Sequence, residues 1–197
     1  AVIVVILGAV WLWPQGPKAP RFTNSRQITV ASGVEATPTW SPDGRTLAYR
    51  SGDFDSGVIH VVSIDAGEPV NRTTNLEGSN LRPSWSPDGS RIAFFTGNED
   101  NLWWRLFVMP AVGGTASPIQ TTDGIWIQGS APQWSPDNQE LAYIVIDTTT
   151  DDSYAEIVTL TTGQTQRIPL PVTYQAFSLS WSKDRRFMAY VDATSST

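Results

Sequence analysis

The pentapeptide WSPDG stands at residues 40–44 and 85–89, returns as WSPDN at 134–138 and, more altered, as WSKDR at 181–185. Its tryptophans, Trp40, Trp85, Trp134 and Trp181, are 45, 49 and 47 residues apart. A near-constant period of this length marks an array of equivalent supersecondary units, and it constrains the fold more than any single segment does. Apolar residues in period two follow each motif: TLAYR (46–50), RIAFF (91–95), ELAYI (140–144) and RFMAY (186–190). After a polar loop come VIHVVSI (58–64), RLFVMPA (105–111) and AEIVTLT (155–161). These are strands bounded by turn residues, with no competing helical spacing after residue 14. Short strands repeating every 45 to 49 residues predict the blades of a β-propeller.

The pentapeptide itself reads as a turn. Pro42 and Pro87 pre-set φ for the second position of a type I turn, and Asp43 and Asp88 suit the third. Gly44 and Gly89 supply the left-handed conformation that closes a hairpin with a bulge. Pro136 and Asp137 keep this pattern in the third copy, where Asn138 tolerates the same backbone. In the fourth copy Asp184 persists, but Lys183 and Arg185 replace the proline and the glycine. The tryptophan before each turn offers a large flat surface, once per unit, to bury between neighbouring sheets. The motif is therefore scaffold rather than site.

The fuller pattern, PTWSPDGRTLAY and PSWSPDGSRIAF, resembles the PD40-type, WD40-like repeat of TolB-like β-propellers, over residues 26–192. The resemblance implies an all-β propeller of four-stranded blades. Inner strand A ends at each tryptophan, B and C are the runs quoted above, and outer strand D falls at 68–74, 117–122 and 165–170. Residues 26–30 would be the outer strand of a preceding blade, and the last unit holds A and B alone. We therefore expect an incomplete propeller with a truncated end at 193–197, the alternative being a four-bladed ring closed by 26–30. The resemblance leaves the function open, because this repeat occurs in periplasmic translocation proteins, in propeller domains of serine peptidases and behind membrane anchors of bacterial regulators.

Residues 1–13, AVIVVILGAVWLW, carry no charge and end at Pro14. As a helix they would span roughly 20 Å, short of the ~30 Å hydrocarbon core, so they read as part of a transmembrane helix or signal anchor, with Trp11 and Trp13 in an interfacial belt. A signal-peptide core, lacking an A-x-A-like cleavage site, and a buried strand are the alternatives. Residues 14–25 would be a linker, and with such an anchor the resemblance implies a propeller at the bacterial cell membrane on its periplasmic side.

The net charge of −6 excludes a phosphate-backbone binder, so nucleic acid is not an expected partner. With no cysteine there is neither a disulfide framework nor a thiolate metal site. The one histidine, His60, falls in a C strand as an inter-strand residue, and no G-x-S-x-G, H-E-x-x-H or P-loop pattern is present. We expect no catalytic residue, metal or cofactor. Asp53 and Asp55 in SGDFDSG begin a calcium-loop pattern but lack its third ligand and its terminal glutamate.

With antiparallel strands, the B–C loops and D–A connections share one end of the blades. That end collects Glu35, Asp53, Asp55, Glu77, Glu99, Asp100, Asp123, Asp151 and Asp152, while segments 31–36, 51–57, 75–80, 97–103, 123–130 and 147–153 contain no Lys or Arg. Trp126 lies among them as a candidate anchor. This rim either is a solvated surface or recruits a cationic protein or small ligand. The function expected is a non-catalytic interaction or ligand-sensing propeller, with the non-catalytic propeller of a serine peptidase as the alternative.

Overall fold

The computed structural model describes residues 25–29, 33–65, 67–98, 103–119, 125–127, 131–147, 149–173 and 176–192. The expected anchor at 1–13, residues 14–24 of the linker and the end at 193–197 lie outside them. No described helix is long and apolar enough to cross a membrane. The chain divides into two compact units, 1–30 and 31–197. In the first, the described residues 25–29 form no strand, so the outer strand expected at 26–30 is not formed there. A strand needs a neighbour for its ladder, and sequence pattern alone does not supply one.

The second unit is a succession of antiparallel sheets. Blade 1 contains β1 (Glu35–Trp40), β2 (Thr46–Ser51), β3 (Val58–Ser63) and β4 (Val70–Asn71) in that order. Blade 2 repeats it with β5 (Ser79–Trp85), β6 (Arg91–Asn98), β7 (Trp103–Pro110) and β8 (Ser117–Pro118). Blade 3 has five strands: β9 (Ile125–Ile127) and β10 (Gln133–Trp134) both pair with β11 (Glu140–Asp147), followed by β12 (Asp152–Thr159) and β13 (Thr165–Thr173). Blade 4 consists of β14 (Ala176–Trp181) and β15 (Met188–Asp192).

Inner strands end at the tryptophans as expected, and strands B and C fall within a few residues of their sequence positions. Three expectations need correction. The outer strands of blades 1 and 2, expected at 68–74 and 117–122, shrink to two residues each among the described residues. Asn71 Oδ1 takes the Thr73 N–H at 2.8 Å and the Thr73 hydroxyl accepts the Ile59 N–H at 3.0 Å, so side chains replace the ladder beyond β4. The segment around Trp126, read as loop, forms β9 against Val145–Asp147, because a run of Ile-Trp-Ile suits a pleated edge. In blade 4, strand B begins at Met188 rather than at residue 186, whose N–H is held inside the turn by Asp184 Oδ1 at 3.2 Å.

Alternation along each strand sends residues to opposite seams. Ala48, Ile59 and Val61 of blade 1 pack on Ile92, Phe94 and Met109 of blade 2. The other face of blade 2, with Ala93, Phe95 and Leu106, meets Leu141, Tyr143 and Val145 of blade 3. Ala142, Ile144 and Ile157 then meet Leu179 of blade 4. Each repeat tryptophan after Trp40 pins its seam by donating its indole N–H to the carbonyl just before the preceding one: Trp85 to Thr39 at 3.2 Å, Trp134 to Ser84 at 3.1 Å and Trp181 to Gln133 at 3.2 Å. Trp40 makes no such bond among the described residues and is 52% exposed, against 7% for Trp134.

The pentapeptide is the turn expected, with one addition. In every copy the residue at the fourth turn position donates its backbone N–H to the serine carbonyl, and its φ is positive: Gly44 at 70°, Gly89 at 72°, Asn138 at 62° and Arg185 at 61°. The addition is the serine. Ser41, Ser86, Ser135 and Ser182 donate Oγ–H to the aspartate two residues on at 2.6–2.7 Å. The same oxygens accept the N–H five residues on at 2.9 Å. Gly44→Val or Gly89→Val should cost about 1–3 kcal/mol, because a β-branched residue resists positive φ, and unchanged melting temperatures for both would refute the turn assignment.

These bonds also set the aspartates' protonation. The Ser86 hydroxyl, then the N–H and hydroxyl of Ser90, draw the Asp88 carboxyl from 3.8 down to about 2. Its folded value lies below its unfolded one, so its contribution to stability is present above the unfolded value and fades as pH falls toward about 2. Asp88→Asn should flatten the loss of melting temperature over that acid interval, and a loss as steep as in the wild type would contradict this.

Candidate functional site

The strand registers bring the expected acids to one end of each blade. Glu35 begins β1 opposite Ser51, the last residue of β2, and Ser51 stands opposite Val58, the first of β3. The strand ends therefore gather Glu35 with Asp53 and Asp55, the latter inside the 3-10 turn Phe54–Ser56. In blade 3, Ile146 pairs with Ser153 on one side and Trp126 on the other, which sets Asp151 and Asp152 at the corresponding end. Glu77 precedes β5, whose Ser79 faces Gly97 near the end of β6. All six of these acids are exposed. Glu99, Asp100 and Asp123 lie outside the described residues, and of Trp126 only the backbone, in β9, is described.

Two features of this end escaped the sequence reading. Arg50, just outside the cation-free segment 51–57, is buried, and its guanidinium donates to the Asp53 carbonyl, which places a positive charge beneath the acidic loop. Asp147 accepts the Thr149 N–H at 2.9 Å, and that bond holds its carboxyl below the usual carboxylate range. An Asp followed by polar residues at a strand end is the signal for such an Asx turn. Asp53 and Asp55 belong to no group of three potential metal ligands among the described residues.

A buried polar network lies one layer in from this end. The middle of β11, β12 and β13 aligns Tyr143 with Glu156 and Glu156 with Arg167. Glu156 is fully buried, accepts the Tyr143 hydroxyl at 2.5 Å and pairs with Arg167 Nε at 2.9 Å. Burial first, then the Glu156 charge, pushes the Tyr143 hydroxyl far above the ordinary tyrosine value. The same layer in blade 2 holds Phe94 stacked on Phe107, centroids 6.0 Å apart, and in blade 1 Tyr49 stacked on His60 at 5.6 Å. His60 is thus the inter-strand residue expected, held below the ordinary histidine value by burial. Three solutions to one packing position, aromatic, ring-on-ring polar and ionic, indicate structure rather than chemistry.

A family model described as the TolB beta propeller domain matches residues 22–197, nearly the whole chain. The chain belongs to the TolB β-propeller family. Among solved structures, this TolB-family chain is similar to a TolB-type protein of Agrobacterium tumefaciens, with 22% identity and a TM-score of 0.67 over 85% of this chain and 57% of that one. It is likewise similar to TolB from Acinetobacter baumannii, with 20% identity and a TM-score of 0.67 over 86% of this chain and 40% of that one. A puromycin-hydrolysing peptidase of Mycobacterium tuberculosis matches at 17% identity and a TM-score of 0.62, over 86% of this chain and 29% of the peptidase. The TolB-family chain thus spans 57% and 40% of the length of the two TolB structures. No curated protein matches it. These likenesses carry the fold.

Proposed function

We propose that this TolB-family propeller is a non-catalytic interaction domain, tethered to the bacterial cell membrane through residues 1–13 and facing the periplasm, whose B–C and D–A loop end recruits a cationic protein segment or small ligand. The observation that carries the reading is the convergence of Glu35, Asp53, Asp55, Glu77, Asp151 and Asp152, all exposed, at equivalent strand ends. Such an array focuses a negative field and raises encounter rates with cations at low salt. Glu99, Asp100, Asp123 and Trp126 belong to the same loops in sequence. The resemblance to periplasmic translocation proteins supports the compartment, and the uncharged segment 1–13 supports the tether.

The test is the association of the chain with an amidated oligolysine peptide across ionic strength, with Asp151 and Asp152 reversed to Lys in the comparison. Affinity should fall with salt and fall by about tenfold in the reversed variant, each exposed charge contributing roughly 0.2–1 kcal/mol. Salt-independent binding that survives reversal would reduce the rim to a solvated surface. A second reading, the non-catalytic propeller of a serine peptidase, draws support from the likeness to the Mycobacterium tuberculosis peptidase. A nucleophile-elbow sequence in the reading frame beyond residue 197 would favour it.

A further inference from the structure

The A–B turns lie at the opposite end of the blades from the acidic loops, and they meet differently at each seam. Between blades 3 and 4, Arg185 reaches back from its left-handed turn position: its guanidinium pairs with Asp137 and, at 2.6 Å, with Glu140. Between blades 2 and 3 the same position is Asn138, whose Oδ1 accepts the Asp88 N–H at 3.1 Å while its carbonyl accepts Arg91 Nη2 at 2.7 Å. Between blades 1 and 2 the position is Gly89, packed on Pro42 with no side chain to cross the seam.

A cleft of about 570 Å3 opens at that seam, of a size that suits a small ligand or the end of a peptide. Asp43, Asp88 and Glu68 line it from the turns, Val61 and Val70 along its length, and Arg72 on the outer strand side. Asp43 is the counterpart of Asp137. Its Oδ1 is held by Ser41 and Arg45 N–H, whereas Oδ2, the counterpart of the oxygen that Arg185 engages, has no partner among the described residues. The Arg72 guanidinium lies against Gly113 of blade 2, and its buried Nε has no hydrogen-bond partner among the described residues. The cleft therefore presents three carboxylates from the turns and one guanidinium, with aliphatic side chains between.

We infer that this seam is a binding site for the C-terminal arginine of a peptide. The ligand guanidinium takes the place at Asp43 that Arg185 takes at Asp137, with Asp88 adding a second negative charge. Its aliphatic stem lies along Val61 and Val70, and its terminal carboxylate meets Arg72, a pairing that suits a planar fork of donors. The site is separate from the acidic loop end, so either can fail without the other.

Titration calorimetry of the full chain with Gly-Gly-Arg tests it. We expect saturable binding, weakened about tenfold or more by citrulline in place of arginine, by C-terminal amidation and by Asp43→Asn, each removing one charged partner. Gly89→Arg, which writes the fourth copy's arginine into the second, should abolish binding while the chain still melts cooperatively, because Arg185 already occupies that backbone conformation. Absence of binding to the wild type, equal affinity for the citrulline peptide, or undiminished affinity in folded Gly89→Arg or Asp43→Asn would each overturn the assignment.

Discussion

Replacing Trp134 by alanine should lower stability by about 3–5 kcal/mol, whereas Trp40→Ala should cost less than about 1 kcal/mol. The two residues hold the same place in the repeat and differ in surroundings. Trp134 is 7% exposed, packs in the seam between blades 2 and 3, donates to the Ser84 carbonyl at 3.1 Å and carries the Arg91 guanidinium 4.7 Å above its ring. Its removal leaves a cavity and takes away the indole hydrogen bond and the cation–π contact together. Trp40 is 52% exposed and has little packing to lose. Urea unfolding followed by far-ultraviolet circular dichroism measures both, and equal losses would mean that the tryptophans do not act as seam staples.

Arg167→Met should cost about 3–5 kcal/mol, because it strips the cation from the fully buried Glu156 carboxylate. Arg167 itself is partly exposed, its side chain 29% accessible, so the loss falls on the buried partner. Replacing the whole network, with Tyr143→Phe, Glu156→Leu and Arg167→Leu combined, should recover most of that stability. Blade 2 already fills the same layer with Phe94 and Phe107. Buried ion pairs are commonly matched or exceeded by well-packed apolar groups of similar volume. A triple variant no more stable than Arg167→Met would show that blade 3 is shaped around the ions.

Much of the blade plan was legible because its determinants are local. The tryptophan spacing, the proline and glycine of the turn and the period-two runs each act within a few residues, so the A, B and C strands and the tight turns could be read directly. The outer strands of blades 1 and 2 were not legible to the same degree, since in blade 1 the Asn71 and Thr73 side chains take over ladder bonds that a hydrophobic pattern does not register. The serine of the motif was passed over although its hydroxyl serves both the aspartate and the strand that follows. Asn138 read as a tolerated substitute for the turn glycine and Arg185 as its loss, yet both cross to the neighbouring blade. That role depends on a seam between segments some fifty residues apart, which a single repeat does not reveal. The acidic end could be assembled from strand order alone, but Arg50 beneath Asp53 could not, because its guanidinium folds back from the end of β2.

The scaffold is written in the repeated pentapeptide, and the proposed binding end, separate from it, in the loops opposite. One paired measurement tests that separation: melting temperature and oligolysine affinity determined together for Ser135→Ala and for Asp151 and Asp152 reversed to Lys. Ser135 is fully buried, holds Asp137 at 2.7 Å and accepts the Glu140 N–H at 2.9 Å, so its loss should lower the melting temperature and leave affinity at the wild-type value. The double reversal should lower the melting temperature less than Ser135→Ala does and cut the affinity about tenfold. A turn variant that loses affinity while folded, or a reversed rim that binds oligolysine as the wild type does, would contradict it.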